Sequence, residues 1–162
     1  MKQLLYLIPI LFFAACSGGS FSKGVKKDLN TGLTSTYNGF AVDDIYLTDD
    51  KGNKLGSNAV TLGSELIVIA SGVENYTLES GKAYLGCTII LTDKNKKEIL
   101  NLPDAFADIK DGLAPDQATE LKATLTTGDP MQAGETYQLY VHFYDKKNTA
   151  SFITSVVALL AK

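Results

Sequence analysis

Thr136-Tyr137-Gln138-Leu139-Tyr140-Val141-His142-Phe143-Tyr144-Asp145 is the stretch from which the fold is legible. Tyr137, Leu139, Val141 and Phe143 alternate with Gln138, Tyr140, His142 and Tyr144, so an extended chain sends the two sets to opposite sides. An apolar side backed by a mixed one is the pattern of an antiparallel sheet with one buried face. Leu121, Ala123 and Leu125 alternate in the same way with Lys122, Thr124 and Thr126. Outward from these stretches, short apolar runs recur from about residue 39, and no long stretch holds a helical period. They place strands at 40–48, 58–62, 65–71, 83–92, 97–102, 119–127, 136–145 and 150–160. Turn chemistry separates them. Asp49-Asp50-Lys51-Gly52-Asn53 and Asp93-Lys94-Asn95-Lys96 each follow a strand, and Tyr144-Asp145-Lys146-Lys147 ends another in a similar way. Asp and Asn side chains bond their own backbone, and Gly takes left-handed geometry freely. The irregular region is 103–118, where a helical turn or two is expected with Phe106 and Ile109 on one side. A connection this long is either a crossover between sheets or a functional loop. The expectation is an all-β, antiparallel two-sheet sandwich of about seven or eight strands over residues 39–162.

The chain has 162 residues, enough for one domain of ordinary size. Hydrophobic residues at 45% and charged residues at 20% are the composition of a packed globular chain, not a disordered or fibrous one. Fifteen basic residues oppose eighteen acidic ones, and every basic residue is lysine. Without arginine there is no bidentate fork to read guanine or grip phosphate, which argues against nucleic acid as a partner.

At the N-terminus, Lys2 precedes an apolar run from Leu4 to Phe13, followed by Ala14-Ala15-Cys16. The run is too short for the ~20 residues that a helix needs to cross a bilayer, and it has the length of a signal-peptide core. Phe13-Ala14-Ala15-Cys16 resembles the lipobox of bacterial lipoprotein signal peptides, with Phe13 where leucine is commonest. The resemblance implies a signal peptide over 1–15, cleavage before Cys16, and fatty acylation such as palmitate on the Cys16 thiol and amine. Two or more acyl chains make a stable membrane anchor. Neither an Asp directly after Cys16 nor an acidic cluster follows. By analogy with sorted lipoproteins, this implies an outer-membrane address with the domain facing the periplasm, surface exposure being the alternative. Residues 16–38, rich in Ser, Gly, Thr, Lys and Asn, are expected to be the lipidated cysteine and a flexible tether spanning about 25 Å.

Met131-Gln132-Ala133-Gly134-Glu135-Thr136-Tyr137, leading into the alternating strand, resembles the tyrosine corner of fibronectin type III and immunoglobulin-like domains. Ala133 stands where proline is usual in the fibronectin pattern. The resemblance implies that the Tyr137 hydroxyl bonds back to the preceding loop. The Cys–Trp–Cys arrangement of antibody domains is absent, so the implied likeness is one of immunoglobulin-like architecture alone.

The vocabulary of catalysis and metal binding is sparse. His142 is the single histidine, so a zinc site lacks ligands. Asp43, Asp44, Asp49, Asp50 and Asp145 fall at strand ends, but Asp49 to Asn53 fails the EF-hand spacing, and turn formation accounts for these residues. No cofactor is implied. Ser80 lacks the glycines of a nucleophile elbow, and Gly81-Lys82 lacks the rest of a phosphate-binding loop. Cys87 shares register with Leu85 and Ile89 and is expected in the core; a catalytic thiolate would need a base, and His142 is the sole candidate. Binding is the surviving chemistry. Tyr140 and Tyr144 face outward with His142 between them, and Tyr46 and Tyr84 are candidates to face outward elsewhere. Such rings stack on a sugar or anchor a protein partner; alternatively they pack beneath a loop or pair across strands. The expected role is a non-enzymatic binding or structural module held at the membrane through Cys16. Its partner would be a glycan, a peptide or an envelope protein, with assembly through a free strand edge as a further alternative and hydrolytic chemistry as the remotest.

Overall fold

The computed structural model describes residues 22–162; the signal peptide expected over 1–15 and the expected lipidation site Cys16 lie outside the described residues. Twelve strands and no helix occur among them: β1 (Lys23–Lys27), β2 (Thr34–Asn38), β3 (Asp44–Thr48), β4 (Ala59–Val60), β5 (Glu65–Ser71), β6 (Leu78–Glu79), β7 (Lys82–Ala83), β8 (Leu85–Thr92), β9 (Glu98–Leu102), β10 (Glu120–Thr126), β11 (Thr136–Asp145) and β12 (Phe152–Ala161). The large sheet runs β1-β2-β12-β11-β8-β9, with β4 added to β12; the small sheet runs β10-β5-β3. Every pairing is antiparallel except β4 with β12, which is parallel through Ala59↔Leu160 and Val60↔Ala161. The expected all-β sandwich is thus the observed one, with a count of strands raised by two-residue pairs and by the N-terminal hairpin.

That hairpin corrects the tether. Residues 23–38 are not a linker: β1 pairs with β2, and β2 pairs with β12 from Thr34↔Val156 to Asn38↔Phe152. The sheet-built body therefore includes the segment before residue 39. The segment hides from a hydrophobicity reading because its inward apolar residues, Leu33 and Tyr37, are scattered and Ser35 stands between them. Ser35 faces the core, where its hydroxyl meets the Ser155 hydroxyl of β12 at 2.8 Å, so two buried polar groups satisfy each other. Asp28 closes the hairpin turn by accepting the Asn30 backbone N–H at 2.9 Å and the Thr31 hydroxyl at 2.7 Å. The Thr31 bond, more than any other interaction, holds the Asp28 carboxyl below its ordinary value.

The core lies between the two inner faces. From the small sheet come Ile45, Leu47, Leu66, Val68, Leu121 and Leu125. From the large sheet come Leu139, Val141 and Phe143 of β11, Ile153 and Leu159 of β12, and Cys87 and Ile89 of β8. Period-two alternation in β11 reads as buried at every odd position from Tyr137 to Asp145, as a sheet with one packed face requires. The Tyr137 hydroxyl accepts the Gln132 backbone N–H at 2.7 Å, the tie expected of a tyrosine corner.

Three of the strand ends share one device. Asp49 Oδ1 accepts the N–H groups of Lys51 and Asn53, Asp93 Oδ1 those of Asn95 and Lys97, and Asp145 Oδ1 that of Lys147 at 2.8 Å. Asp145 is buried, and its Oδ2 accepts the Thr77 N–H at 2.7 Å, fastening the β5–β6 connection to the end of β11. The 103–118 connection is a crossover from β9 in the large sheet to β10 in the small one. It is built of turns instead of the expected helical turn, and it sets Phe106 with its ring centre 6.1 Å from that of Phe143.

Candidate functional site

Strand register assembles the candidate site from four neighbouring strands. Three rows cross the large sheet: Asn38–Phe152–Tyr144–Gly86, Thr36–Thr154–His142–Thr88, and Thr34–Val156–Tyr140–Ile90. Directly paired residues project to the same side. Since the odd-numbered residues of β11 fill the core, these rows lie on the outer face. Tyr140, His142 and Tyr144 are half-buried there.

The rings lie in one shallow layer. A Cβ placed on Gly86 would sit 2.2 Å from Tyr144 Cζ and 2.5 Å from both Cε2 and Oη. Near-equal distances to the two atoms flanking Cζ put that point beneath the ring face, not beside its edge. Tyr144 therefore lies flat across β8, one face on Gly86 and the other turned away from the sheet. The His142 ring follows at 5.6 Å and 23° from Tyr144, and the Tyr140 ring at 6.1 Å and 15° from His142. Phe152 of β12 adds a fourth ring 5.6 Å from His142. Spacing of this size with small tilt describes tiles laid along β11.

His142 is fixed by Thr154, whose Oγ1 lies 2.8 Å from Nδ1. Burial lowers its pKa below the ordinary 6.5 and favours the neutral imidazole. The neutral form suits its surroundings. Along β2, β12, β11 and β8, no outward position carries Asp, Glu or Lys. Charges stand only at the margins, with Lys23 and Lys27 on β1, Glu98 on β9, and the Asp104–Lys146 pair at 2.7 Å beyond Tyr144. Burial would raise the Asp104 carboxyl, but Lys146 and the backbone N–H groups of Cys87 and Phe106 outweigh it and hold the carboxyl below 3.8. The outer face of the small sheet differs, bearing Asp44, Glu65, Glu120 and Lys122.

The remaining candidates lie elsewhere. Tyr46 is on the outer face of the small sheet, with the Lys54 ammonium 3.9 Å from its ring centre and bonded to Asp44 at 2.8 Å. A groove of about 440 Å³ beside it is lined by Lys26, Asp28 and Lys54. Tyr84 packs on the crossover at Gly112 and beneath the Lys147 ammonium. Neither tyrosine joins the row on β11. Cys87 is wholly buried, and burial pushes its thiol up to about 12, away from nucleophilic use. The His142 ring bonds Thr154 and not an acid. Among the described residues, no group of three or more His, Cys, Asp or Glu is placed to hold a metal ion.

Sequence reasoning found Tyr140, His142 and Tyr144 but missed Gly86, Phe152, Thr154 and the uncharged field around them. The alternation of Phe152, Thr154, Val156 and Ala158 with buried neighbours carried part of that signal. The register that sets these residues beside β11 did not show in any single strand.

No family model matches the chain, and no curated protein matches it. Among solved structures, the crystal structure of the C-terminal domain of wzt is similar to it, with a TM-score of 0.51 over 88% of this chain and 78% of that one, at 8% sequence identity. A likeness at that identity shows a shared all-β fold.

Proposed function

We propose that this chain is a lipid-anchored envelope protein whose sandwich is a non-enzymatic binding module working through the outer face of its large sheet. The observation that carries the reading is the uncharged, ring-tiled field spanning β2, β12, β11 and β8. A solvated sheet face ordinarily carries interspersed charges, as the small sheet's outer face does, and a contiguous field without them marks an interaction surface. The lipobox resemblance supports the anchor. Lys23 is the seventh residue after Cys16, so a fully extended connection spans at most about 25 Å, at ~3.3–3.6 Å per residue. Lys23 shares a row with Asn38, Phe152 and Tyr144, so the Tyr144 end of the face is the end nearer the anchor. The proposed address is the outer membrane with the body in the periplasm.

Two measurements test this. Cys16→Ala is expected to move the protein out of the membrane fraction; a variant that stays fully membrane-bound contradicts the anchor. Tyr140→Ala is expected to reduce crosslinking of the full-length protein to envelope material while leaving its thermal stability near that of the parent. Unchanged crosslinking contradicts the binding face.

A second reading, assembly through a strand edge, has its own observation. Leu100 and Leu102 project from the inner face of edge strand β9 and stay 38% and 41% exposed. Stoichiometric co-purification of a partner that is lost in Leu102→Glu would favour it.

A further inference from the structure

Resting on that reading of the outer face, we propose that its ligand is a linear, uncharged glycan whose sugar rings lie flat on Tyr144, His142 and Tyr140 along β11. The orientation of the rings is the first reason. Tyr144 is laid flat by the absence of a side chain at Gly86, and its near-parallel neighbours follow. The face of an aromatic ring is its negative side and attracts weakly positive C–H groups. A pyranose presents a flat sheet of such C–H groups on one side and hydroxyls around its rim, so it matches a tile from above. Steps of 6.1 and 5.6 Å between ring centres are comparable to the advance of one sugar unit in an extended chain. The three rings together span more than a monosaccharide.

Charge gives the second reason. No outward residue of β2, β12, β11 or β8 is an Asp, Glu or Lys, and His142 bonds the Thr154 hydroxyl at 2.8 Å and not an acid. A uronate or phosphate laid on this field would lose water without gaining a partner. The Thr36 hydroxyl, in the same row as His142, can donate to and accept from sugar hydroxyls, and those of Thr88 and Thr154, engaged with the Pro103 carbonyl and His142 Nδ1, keep lone pairs to accept with.

Topology gives the third, and it sets the glycan apart from a peptide. Extended peptides are commonly read through main-chain bonds at a sheet edge and through pockets for alternate side chains. β11 has β12 on one side and β8 on the other, so its backbone groups are already engaged. Flat tiles offer contact area in place of pockets.

The test uses the full-length lipidated protein in detergent micelles, run through native gels cast with laminarin, dextran or galactomannan as neutral probes and polygalacturonate as the anionic one. At least one neutral polysaccharide is expected to retard the protein, and polygalacturonate is not. Tyr140→Ala and Tyr144→Ala are each expected to weaken the interaction by about tenfold, the scale of a contact at the centre of an interface. Tyr144→Phe keeps the tile and should keep the affinity; Tyr46→Ala, on the other sheet, should change nothing. Tyr144→Ala also uncovers Gly86, so Tyr140→Ala, which stands opposite Ile90, is the variant read for binding alone. Retardation by none of the neutral gels, retardation only by polygalacturonate, or retention unaffected by either alanine variant overturns the proposal. If an array of uncharged peptides captures the protein through Tyr140 while no glycan does, the ligand class is wrong and the binding face stands. If neither glycans, peptides nor envelope crosslinks depend on Tyr140, both fall.

Discussion

Gly86→Ala perturbs the Tyr144 tile without touching Tyr144. The new Cβ would lie 2.2 Å from Tyr144 Cζ. Carbon atoms rest at about 3.5–4.0 Å, so the ring has to lift by roughly 1.5 Å and abandon its flat seat. Gly86 is not among the residues with positive φ, so alanine meets no backbone strain there and the conflict is with the ring alone. Forcing a packed side chain aside costs about 1–3 kcal/mol. Against this, replacing a strand glycine recovers about 0.5–1 kcal/mol of backbone entropy. Tyr144 can escape by swinging its far end away from the sheet, so the lower part of the cost applies and the net loss is about 0.5 kcal/mol. In a domain of this size that is a fall in Tm of roughly 1–3 °C. The sign should invert when the ring is absent: in a Tyr144→Ala background, Gly86→Ala should stabilise by about 0.5–1 kcal/mol. Urea unfolding of the four proteins in this double-mutant cycle reads the coupling directly. Stabilisation of equal size in both backgrounds would refute the flat-ring geometry.

Three further outcomes are expected. Tyr137→Phe removes the acceptor for the Gln132 N–H, and since Gln132 is exposed, water replaces it, for a loss of about 0.5–1 kcal/mol in urea unfolding; an unchanged midpoint would deny the corner a stabilising role. His142 has a lowered pKa in the folded chain, so as pH falls below 6.5 the unfolded chain takes up the proton first. Stability should therefore decline with acidification through that window and level off below the native value. His142→Gln should flatten this component of the profile, and an unaltered profile contradicts it. Cys87, buried and with its thiol pushed up to about 12, should react with a thiol reagent only through opening of the fold. Labelling of the native protein at the rate of a free thiol would disprove its burial.

How much was legible follows from what each residue type reveals. β11 and β10 announced themselves because aliphatic and aromatic residues occupy the inward positions up to Phe143 and Leu125, and a turn aspartate, Asp145, ends β11. β1 and β2 did not. Lys23-Gly24-Val25-Lys26-Lys27 reads as a solvated linker, and Ser35 at an inward position makes sense only when Ser155 is known to face it. The sites divide in the same way. Tyr140, His142 and Tyr144 share a face by period two alone. Gly86 lies far from them in sequence, and its part in laying Tyr144 flat depends on the pairing of β8 with β11. Long-range register, unlike local alternation, leaves no mark within a single segment.

The outer face is most directly tested by comparing tyrosine-specific chemical labelling of the protein in intact cell envelopes with that of the purified, detergent-solubilised protein, read residue by residue by mass spectrometry. Tyr140 and Tyr144 should be protected several-fold in the envelope and regain reactivity on purification, while Tyr46 on the small sheet reacts alike in both. Equal reactivity of Tyr140 and Tyr144 in the two settings would contradict a surface occupied in place.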